Sequence, residues 1–491
     1  MCIAVLKILL FSNFFIYKFK NDVIIYFIFF EEVCFMAKQS KFTKGCVNLV
    51  NRFLPDPFIF CVVLTIIVFI FAMPATGSGP IAVLNAWGAG VWGLLAFSMQ
   101  MALVLVLGNA FATAPAIKKV ISSIASTAKT PFSAIVIVTA VSTLCCFLNW
   151  GFGLVVGALL AKEVARQCKG VDYRLLIASA YSGFVVWHAG ISGSIPLALN
   201  TAGATLSNVT GGAVTEPIST SQTIFAPWNL IMCLIILVGI PLILAKQHPA
   251  PEDTITVDPN LLVEEERVYK KPETPAERIE NSMVLSMIVG LAGVLFVVLY
   301  FIKAGVMNGL NLNTVNFIFL ILGILFHKTP IRYVHAITDS AKGAAGIILQ
   351  FPFYAGIQAL MVFSGASGQS LAGVISNFFV NISNQITFPI FTFLSAGIVN
   401  FFVPSGGGQW SVQGPIMMPA GLALGVQPAI TGMAIAWGDA WTNMVQPFWA
   451  LPALGIAGLS ARDIMGYCII TLLFAGVVVC AGFLCVGFFF T

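Results

Sequence analysis

Two short runs constrain this chain more than anything else in it. Asn149-Trp150-Gly151-Phe152-Gly153 in the first half is answered by Asn400-Phe401-Phe402-Val403-Pro404-Ser405-Gly406-Gly407-Gly408 in the second, each at the end of an apolar stretch. The offset that carries Asn149 onto Asn400 also carries Pro196 onto Pro447 and His188 onto Asp439. The two copies sit in opposite charge settings. Lys118, Lys119, Lys129, Lys162, Arg166, Lys169 and Arg174 surround the first, whereas the matching loops of the second carry no charge. Loops rich in Lys and Arg stay cytoplasmic, so the halves are expected to insert upside down relative to each other. Hydrophobic segments interrupted by Gly and Pro at corresponding places of two inverted halves are the sequence signature of a secondary transporter.

Composition fixes the environment. Hydrophobic residues make up 59% of the 491 residues and charged residues 9%, against about 25% charged in a soluble domain. So little charge cannot cover a water-facing surface, and the reading is an all-α polytopic membrane protein in the lipid bilayer. A net charge of +5 in a soluble chain would suggest nucleic acid; here the basic residues lie in short loops, where they set orientation, and no nucleic-acid partner is expected. The 11 cysteines lie mostly in apolar stretches with no CxxC spacing. They read as small packing residues, neither disulfides nor a metal site.

A bilayer-spanning helix needs about 20 apolar residues, with about 17 tolerated. About nine spans are expected, near 57–73, 91–114, 175–200, 227–245, 283–302, 314–326, 343–363, 429–454 and 464–486. Lys38, Lys41, Lys44 and Arg52 make 36–56 a cytoplasmic leader, while charges split 1–35 into pieces too short to cross. The sequence restarts at Met36, so 1–35 reads as an N-terminal extension set apart from the fold. The stretch 132–161 has basic loops at both ends yet is too short for two crossings. It is expected as a re-entrant hairpin entering from the cytoplasm, with 387–418 as its counterpart entering from outside. The first membrane repeat then covers 57–245 and the second, inverted, covers 312–491. Between them lie a charged cytoplasmic linker, 246–282, and a connecting helix, 283–311. The uncharged stretches 74–86 and 365–385 are expected as outer loops.

Non-helical backbone in hydrocarbon leaves polar groups unpaired, so it is tolerated only where protein or a wet cavity surrounds it. The hairpin tips are therefore candidate sites. At Ser405, Gly406, Gly407 and Gly408 the missing Cβ atoms either let backbone N–H groups approach a carboxylate at the start of a helix or only let helices pack closely. Gly151 and Gly153 carry the same two readings. Asn149 and Asn400 each offer an amide that bonds an anion or a cation. In the first half, the break from Trp187 to Pro196 adds Ser192 and Ser194 as cavity-lining residues, with His188 a candidate of less weight.

A second constellation centres on Asp439, the one formally charged residue between Lys342 and Ser460. Asp439, Thr442, Asn443 and Gln446 share one helix face, interrupted by Pro447. A buried acid beside freed carbonyls can take up a proton or a sodium ion, so Asp439, Asn443 and Gln446 are the expected ion-coupling residues. No resident metal or cofactor is expected beyond that coupling ion. Trp150, Trp187, Trp410 and Trp441 lie around the breaks and would suit a short acyl tail.

Signatures of pumps and enzymes are missing. The sequence has no Gly-Lys dipeptide and hence no Walker A loop, no HExxH, and no GxSxG frame around Ser405. An ion gradient or the substrate's own gradient must drive transport.

Leu54-Pro55-Asp56-Pro57, 149–157, 350–358, Val403 to Gly408, 446–452 and 462–467 together resemble the bacterial short-chain fatty acid transporter family. The resemblance runs from Met36 to the C-terminus. It implies uptake of butyrate- and acetoacetate-like monocarboxylates across the inner membrane, in symport with H+ or Na+. It also implies similarity to the wider ion-transporter superfamily of carboxylate carriers, often homodimeric. The family pattern has Gly where this chain has His188 and commonly Glu where it has Asp439. The first speaks against an essential proton relay at His188; the second preserves a carboxylate. A dicarboxylate or amino-acid carrier of the same superfamily is the alternative, and a membrane-embedded acyl-chain enzyme is a third reading.

Overall fold

The computed structural model describes residues 45–47, 52, 57–201, 204–262, 272–305, 309, 312–404 and 406–489. The N-terminal extension 1–35, most of the leader, Ser405 and the 263–271 part of the linker are among those that lie outside these. The described residues are helical, with no strand. Among them six helices are long and apolar enough to cross a bilayer, or seven if Ser98–Phe111 and Pro115–Ala125, bent by 84°, count as one span. Asn313–His327, Leu371–Asn381 and Phe388–Phe402 are apolar but shorter. The expected count of nine is not reached by length and composition.

Proline starts many of these helices. Pro80, Pro115, Pro131, Pro227, Pro330 and Pro428 stand in the first turn, where the missing N–H costs no helix bond and the fixed φ suits the first residue.

The sequence reading missed four helices. Pro80–Gly90 and Leu371–Asn381 occupy stretches expected as outer loops, and Pro115–Ala125 and Pro330–Ala341 carry Lys118, Lys119 and Arg332, expected in basic loops. All four are runs of 11 or 12 residues, too short to register as spans, and in Pro115–Ala125 and Pro330–Ala341 the polar residues gather on one helix face. The hairpins are likewise longer than expected. The first runs over Pro131–Leu148 and Trp150–Gln167, and the second over Phe388–Phe402 and Gly406–Ala423. Lys162 and Arg166 therefore ride on the last turns of a helix, where cations suit the negative end of its dipole.

Elements recur in one order. Pro57–Thr76, Pro80–Gly90, Leu95–Ala112, Pro115–Ala125, the first hairpin, the broken helix from Tyr173 to Leu199, and Pro227–Ala245 form the first series. Leu312–His327, Pro330–Ala341, Ala345–Val362, Leu371–Asn381, the second hairpin, the broken helix from Pro428 to Ala457, and Ala461–Phe489 form the second. Packing between the series is reciprocal. Pro57–Thr76 lies on Ala345–Val362, and Leu95–Ala112 lies on Leu312–His327. Pro80–Gly90 packs on the same Ala345–Val362, where a Cβ on Gly356 would fall 2.5 Å from Trp87 Nε1. Polar bonds close the contact of Leu95–Ala112 with Leu312–His327, with Gln100 Nε2 donating to Asn313 Oδ1 at 2.7 Å and Asn316 Nδ2 to the Gln100 carbonyl at 3.0 Å. Inside this frame the broken helices are the most buried part of the described residues, with nearly every residue of Tyr173–Leu199 and Pro428–Thr442 withdrawn from the surface.

Candidate functional site

Asn149 makes the first hairpin turn. Its backbone is extended, its N–H still donates to the Cys145 carbonyl at 2.8 Å, and its Oδ1 accepts from Phe152 N–H at 3.0 Å. One residue thus ends one helix and N-caps the next. The tip docks on the first helix break: Trp150 N–H donates to Ser192 Oγ at 3.0 Å, and Ile191 N–H to the Phe147 carbonyl at 2.8 Å. A Cβ on Gly190 would fall 2.3 Å from that carbonyl oxygen. Gly153 meets its own hairpin partner, where a Cβ would lie 2.3 Å from Cys146 Sγ, and Gly151 faces Val104 at 3.2 Å. For both glycines close packing accounts for the missing side chain. Ser194 is half-buried at the start of Ser194–Leu199.

The break runs from a 3-10 turn, Gly183–Ala189, to Ser194–Leu199. The Ala189 carbonyl freed there has a partner: Asn229 Nδ2 donates to it at 3.0 Å and to the Ile224 carbonyl, outside the break, at 2.8 Å, while Asn229 Oδ1 accepts from Trp437 Nε1 at 2.9 Å. His188 is fully buried, and its Nε2 accepts the Ile195 N–H at 3.1 Å. A nitrogen that accepts carries no proton, so the neutral ring holds its proton on Nδ1. That atom stands 3.2 Å from Asp439 Oδ1, and Asp439 is fully buried too. The approach has ion-pair distance without hydrogen-bond alignment, since Nδ1 and both carboxylate oxygens lack a hydrogen-bond partner among the described residues.

Asp439 belongs to the second broken helix, in which Pro428–Thr442 passes through the 3-10 turn Asn443–Val445 to Pro447–Ala457. Asp439, Asn443 and Gln446 were expected on one continuous helix face, but the backbone leaves the α-helix at Thr442 and Gln446 is extended. Pro447 is the reason, because the residue before a proline is pushed out of the α region. The three side chains consequently diverge. Asp439 meets His188, Gln446 Nε2 reaches the Phe401 carbonyl at 3.5 Å, and Asn443 Oδ1 accepts from Asn400 Nδ2 at 2.7 Å. Asn400 also lies within reach of the Asp439 carbonyl at 2.8 Å and Thr442 Oγ1 at 2.9 Å. The Asn443 carbonyl accepts the Tyr181 hydroxyl at 2.6 Å, a bond from the first broken helix to the second break.

The second hairpin tip closes on the same place. A Cβ on Gly406 would fall 2.6 Å from His188 Cε1 and 3.1 Å from Trp187 Cη2. At Gly407, which is exposed, a Cβ would meet nothing within 4 Å. Gly408 is half-buried one residue further along.

Aromatic rings line one side of the junction. Trp150 stands edge-on to Trp449 at 5.3 Å and to Trp187 at 6.0 Å, Phe184 stacks on Trp187 at 5.5 Å, and Trp187 on His188 at 4.1 Å. Of the four tryptophans singled out in the sequence, Trp150 and Trp187 join this cluster. Trp410 is buried in the second hairpin, and Trp441 packs on Phe393 at 4.7 Å and donates to the Leu472 carbonyl at 2.7 Å. Trp449, which sequence reasoning missed, takes the place expected for Trp441. Its signal was its position just after Pro447.

Sequence reasoning also missed a buried polar ladder in the second hairpin. Gln409 Nε2 donates to the Ala396 carbonyl at 2.8 Å and to Gln413 Oε1 at 2.7 Å, and Gln413 Nε2 to Ser376 and Ser395 at 3.1 Å. The i, i+4 spacing of two glutamines in an apolar helix was the available signal. Several buried polar atoms around the junction have no hydrogen-bond partner among the described residues: Asn400 Oδ1, Asn443 Nδ2, Gln409 Oε1 and Trp187 Nε1. Groups of this kind are costly unless a ligand, ion or water serves them. Among the described residues no three His, Cys, Asp or Glu side chains gather as a metal site, and the described cysteines are free.

The sequence profile of the family described as short chain fatty acid transporter matches residues 38–486. A protein of Escherichia coli (strain K12) with the description "Putative short-chain fatty acid transporter" is 46% identical over 446 residues, covering 90% of this chain and 99% of that protein. One of the same description from Haemophilus influenzae is 46% identical over 442 residues, covering 89% and 97%. Among solved structures, the YdaH transporter of Alcanivorax borkumensis aligns over 88% of this chain and 98% of its own, at 15% identity and a TM-score of 0.43. The chain belongs to the short-chain fatty acid transporter family, a family of membrane transporters and not of enzymes.

Proposed function

We propose that this protein is a secondary carrier that takes up short-chain monocarboxylates of the butyrate and acetoacetate type across the bacterial inner membrane, coupled to H+ or Na+. The observation that carries the reading is the meeting of both helix breaks with the second hairpin tip: His188 of one broken helix touches Asp439 of the other, and Gly406 packs on His188. The substrate carboxylate would lie at the Gly406–Gly408 turn, where backbone N–H groups at a helix start favour an anion. Asn149, Asn400, Ser192 and Ser194 would complete the polar wall, and the Trp150, Phe184, Trp187 and Trp449 rings would hold the acyl tail. Asp439 would carry the coupling ion, with the uncommitted amide groups of Asn400 and Asn443 beside it. No Lys or Arg is among the residues named in this wall. An anion of single charge accompanied by one cation suits such a site better than a dianion.

The reciprocal packing of the two element series supports units of 57–245 and 312–491 related by a two-fold axis. With the opposite charge settings of the two hairpins, that axis would lie in the membrane plane. Uptake of radiolabelled butyrate into proteoliposomes under an imposed proton or sodium gradient tests the function. Accumulation under one gradient and its collapse on dissipating that gradient is the expected result; no accumulation under either overturns it.

A further inference from the structure

The aromatic wall of the junction carries an unserved donor. Trp187 is 1% exposed, and its Nε1 has no hydrogen-bond partner among the described residues. A buried indole N–H usually finds an acceptor, and one left without it is costly. Trp437, buried as deeply, shows the ordinary outcome by donating to Asn229 Oδ1 at 2.9 Å. The Trp187 carbonyl is itself served, since it accepts the Gly190 N–H at 3.2 Å. Trp410, whose Nε1 also lacks a partner, packs on Gly414 within its own hairpin.

Packing fixes where the Trp187 nitrogen stands. His188 stacks on the indole at 4.1 Å with the planes 13° apart, and Phe184 at 5.5 Å with the planes 5° apart. Trp449 and Trp150 close in at 5.6 and 6.0 Å, and a ring packed among rings has no room to turn over. The second hairpin tip comes to the long edge of this indole: a Cβ on Gly406 would fall 3.1 Å from Cη2. Cζ2 and Cε2 join Cη2 to Nε1 along that same edge. The N–H therefore lies beside the turn proposed for the substrate carboxylate, displaced from it by the length of the ring edge. A donor in that place meets the chain of the acid and not its carboxylate. A saturated chain leaves the N–H unserved, whereas a chain with a carbonyl oxygen on its third carbon accepts from it.

We infer that Trp187 is a specificity-determining residue whose Nε1–H donates to an oxygen on the acyl chain, so that a 3-oxo acid is taken in preference to the saturated acid of the same length. This rests on the monocarboxylate carrier proposed above and names the substrate feature that one wall of its site selects. A site that bonds a substrate oxygen rejects the analogue without it, because its own buried group is then left unpaired.

The test compares uptake of labelled acetoacetate and labelled butyrate by the full chain in proteoliposomes, as the ratio of their kcat/KM values. Acetoacetate should lead by about fivefold or more, the least discrimination expected of one unserved buried donor. Replacing Trp187 with 3-benzothienylalanine, which puts sulfur where the N–H stands and keeps the shape of the ring, should bring the ratio close to unity. Trp187→Phe should move it the same way. A purely structural role for the ring would lower both uptakes together and leave the ratio where it was. A ratio at or below unity in the unaltered protein, or a preference that survives loss of the N–H, overturns the inference and leaves the carrier standing. Uptake of neither acid overturns the carrier, and this inference with it.

Discussion

His188 Nδ1 faces Asp439 Oδ1 at 3.2 Å, with both side chains withdrawn from solvent. The two residues come from the two broken helices, one in each half of the chain. A buried carboxylate next to an imidazole is expensive to leave unpaired.

Asp439→Asn keeps the shape and removes the titratable oxygen. Gradient-driven accumulation should fall at least about tenfold, as expected for an intramembrane coupling acid, while exchange of labelled for unlabelled butyrate across proteoliposomes persists. Unchanged concentrative uptake would take Asp439 out of ion coupling.

Asn400→Ala removes the amide that reaches the Asp439 carbonyl, Thr442 and Asn443. Leaving buried acceptors unserved costs about 1–3 kcal/mol. The variant should unfold at lower temperature in detergent and transport poorly, because the second break loses its brace.

Gly406→Ala and Gly407→Ala separate packing from ligand contact. At Gly406 the new methyl would press on His188 at 2.6 Å, so the hairpin tip must shift. At Gly407 it would meet no atom within 4 Å. Gly406→Ala should lower both thermal stability and uptake. Gly407→Ala should leave stability unchanged and raise the apparent KM for butyrate, and an unaltered KM there would move the substrate off this turn.

Asn149→Ser retains a helix cap while deleting the amide, and Asn149→Ala deletes both. The Ala variant should lose about 1 kcal/mol of stability, the usual cost of an N-cap. The Ser variant should hold its stability, so any fall in its uptake reports the amide's contact with substrate.

Much of the architecture was legible in the chain because hydrophobic length and proline are local signals. Pro227–Ala245 was found to the residue, and both hairpins and both breaks fall where Gly, Asn and Pro interrupt apolar runs. The four short helices were not legible, since a run of 11 or 12 residues is too short to register as a span. At the junction, Asn400 and Asp439 were singled out as candidates from their type, but their partners were not. The i, i+4, i+7 stripe through Gln446 presumed a helix that Pro447 ends.

Sequence alone determined that the chain lives in lipid, that it is interrupted twice in matching ways, and that an acid lies within an otherwise uncharged segment. Those facts follow from composition and from the near-obligatory hydrogen bonding of backbone in hydrocarbon. Only the tertiary structure decided that His188 and Asp439 face each other, that Tyr181 and Asn229 satisfy the broken backbone, and that Trp449 stands where Trp441 was expected. Each of these joins residues far apart in the chain, and long-range pairing depends on how helices pack, which no local pattern encodes.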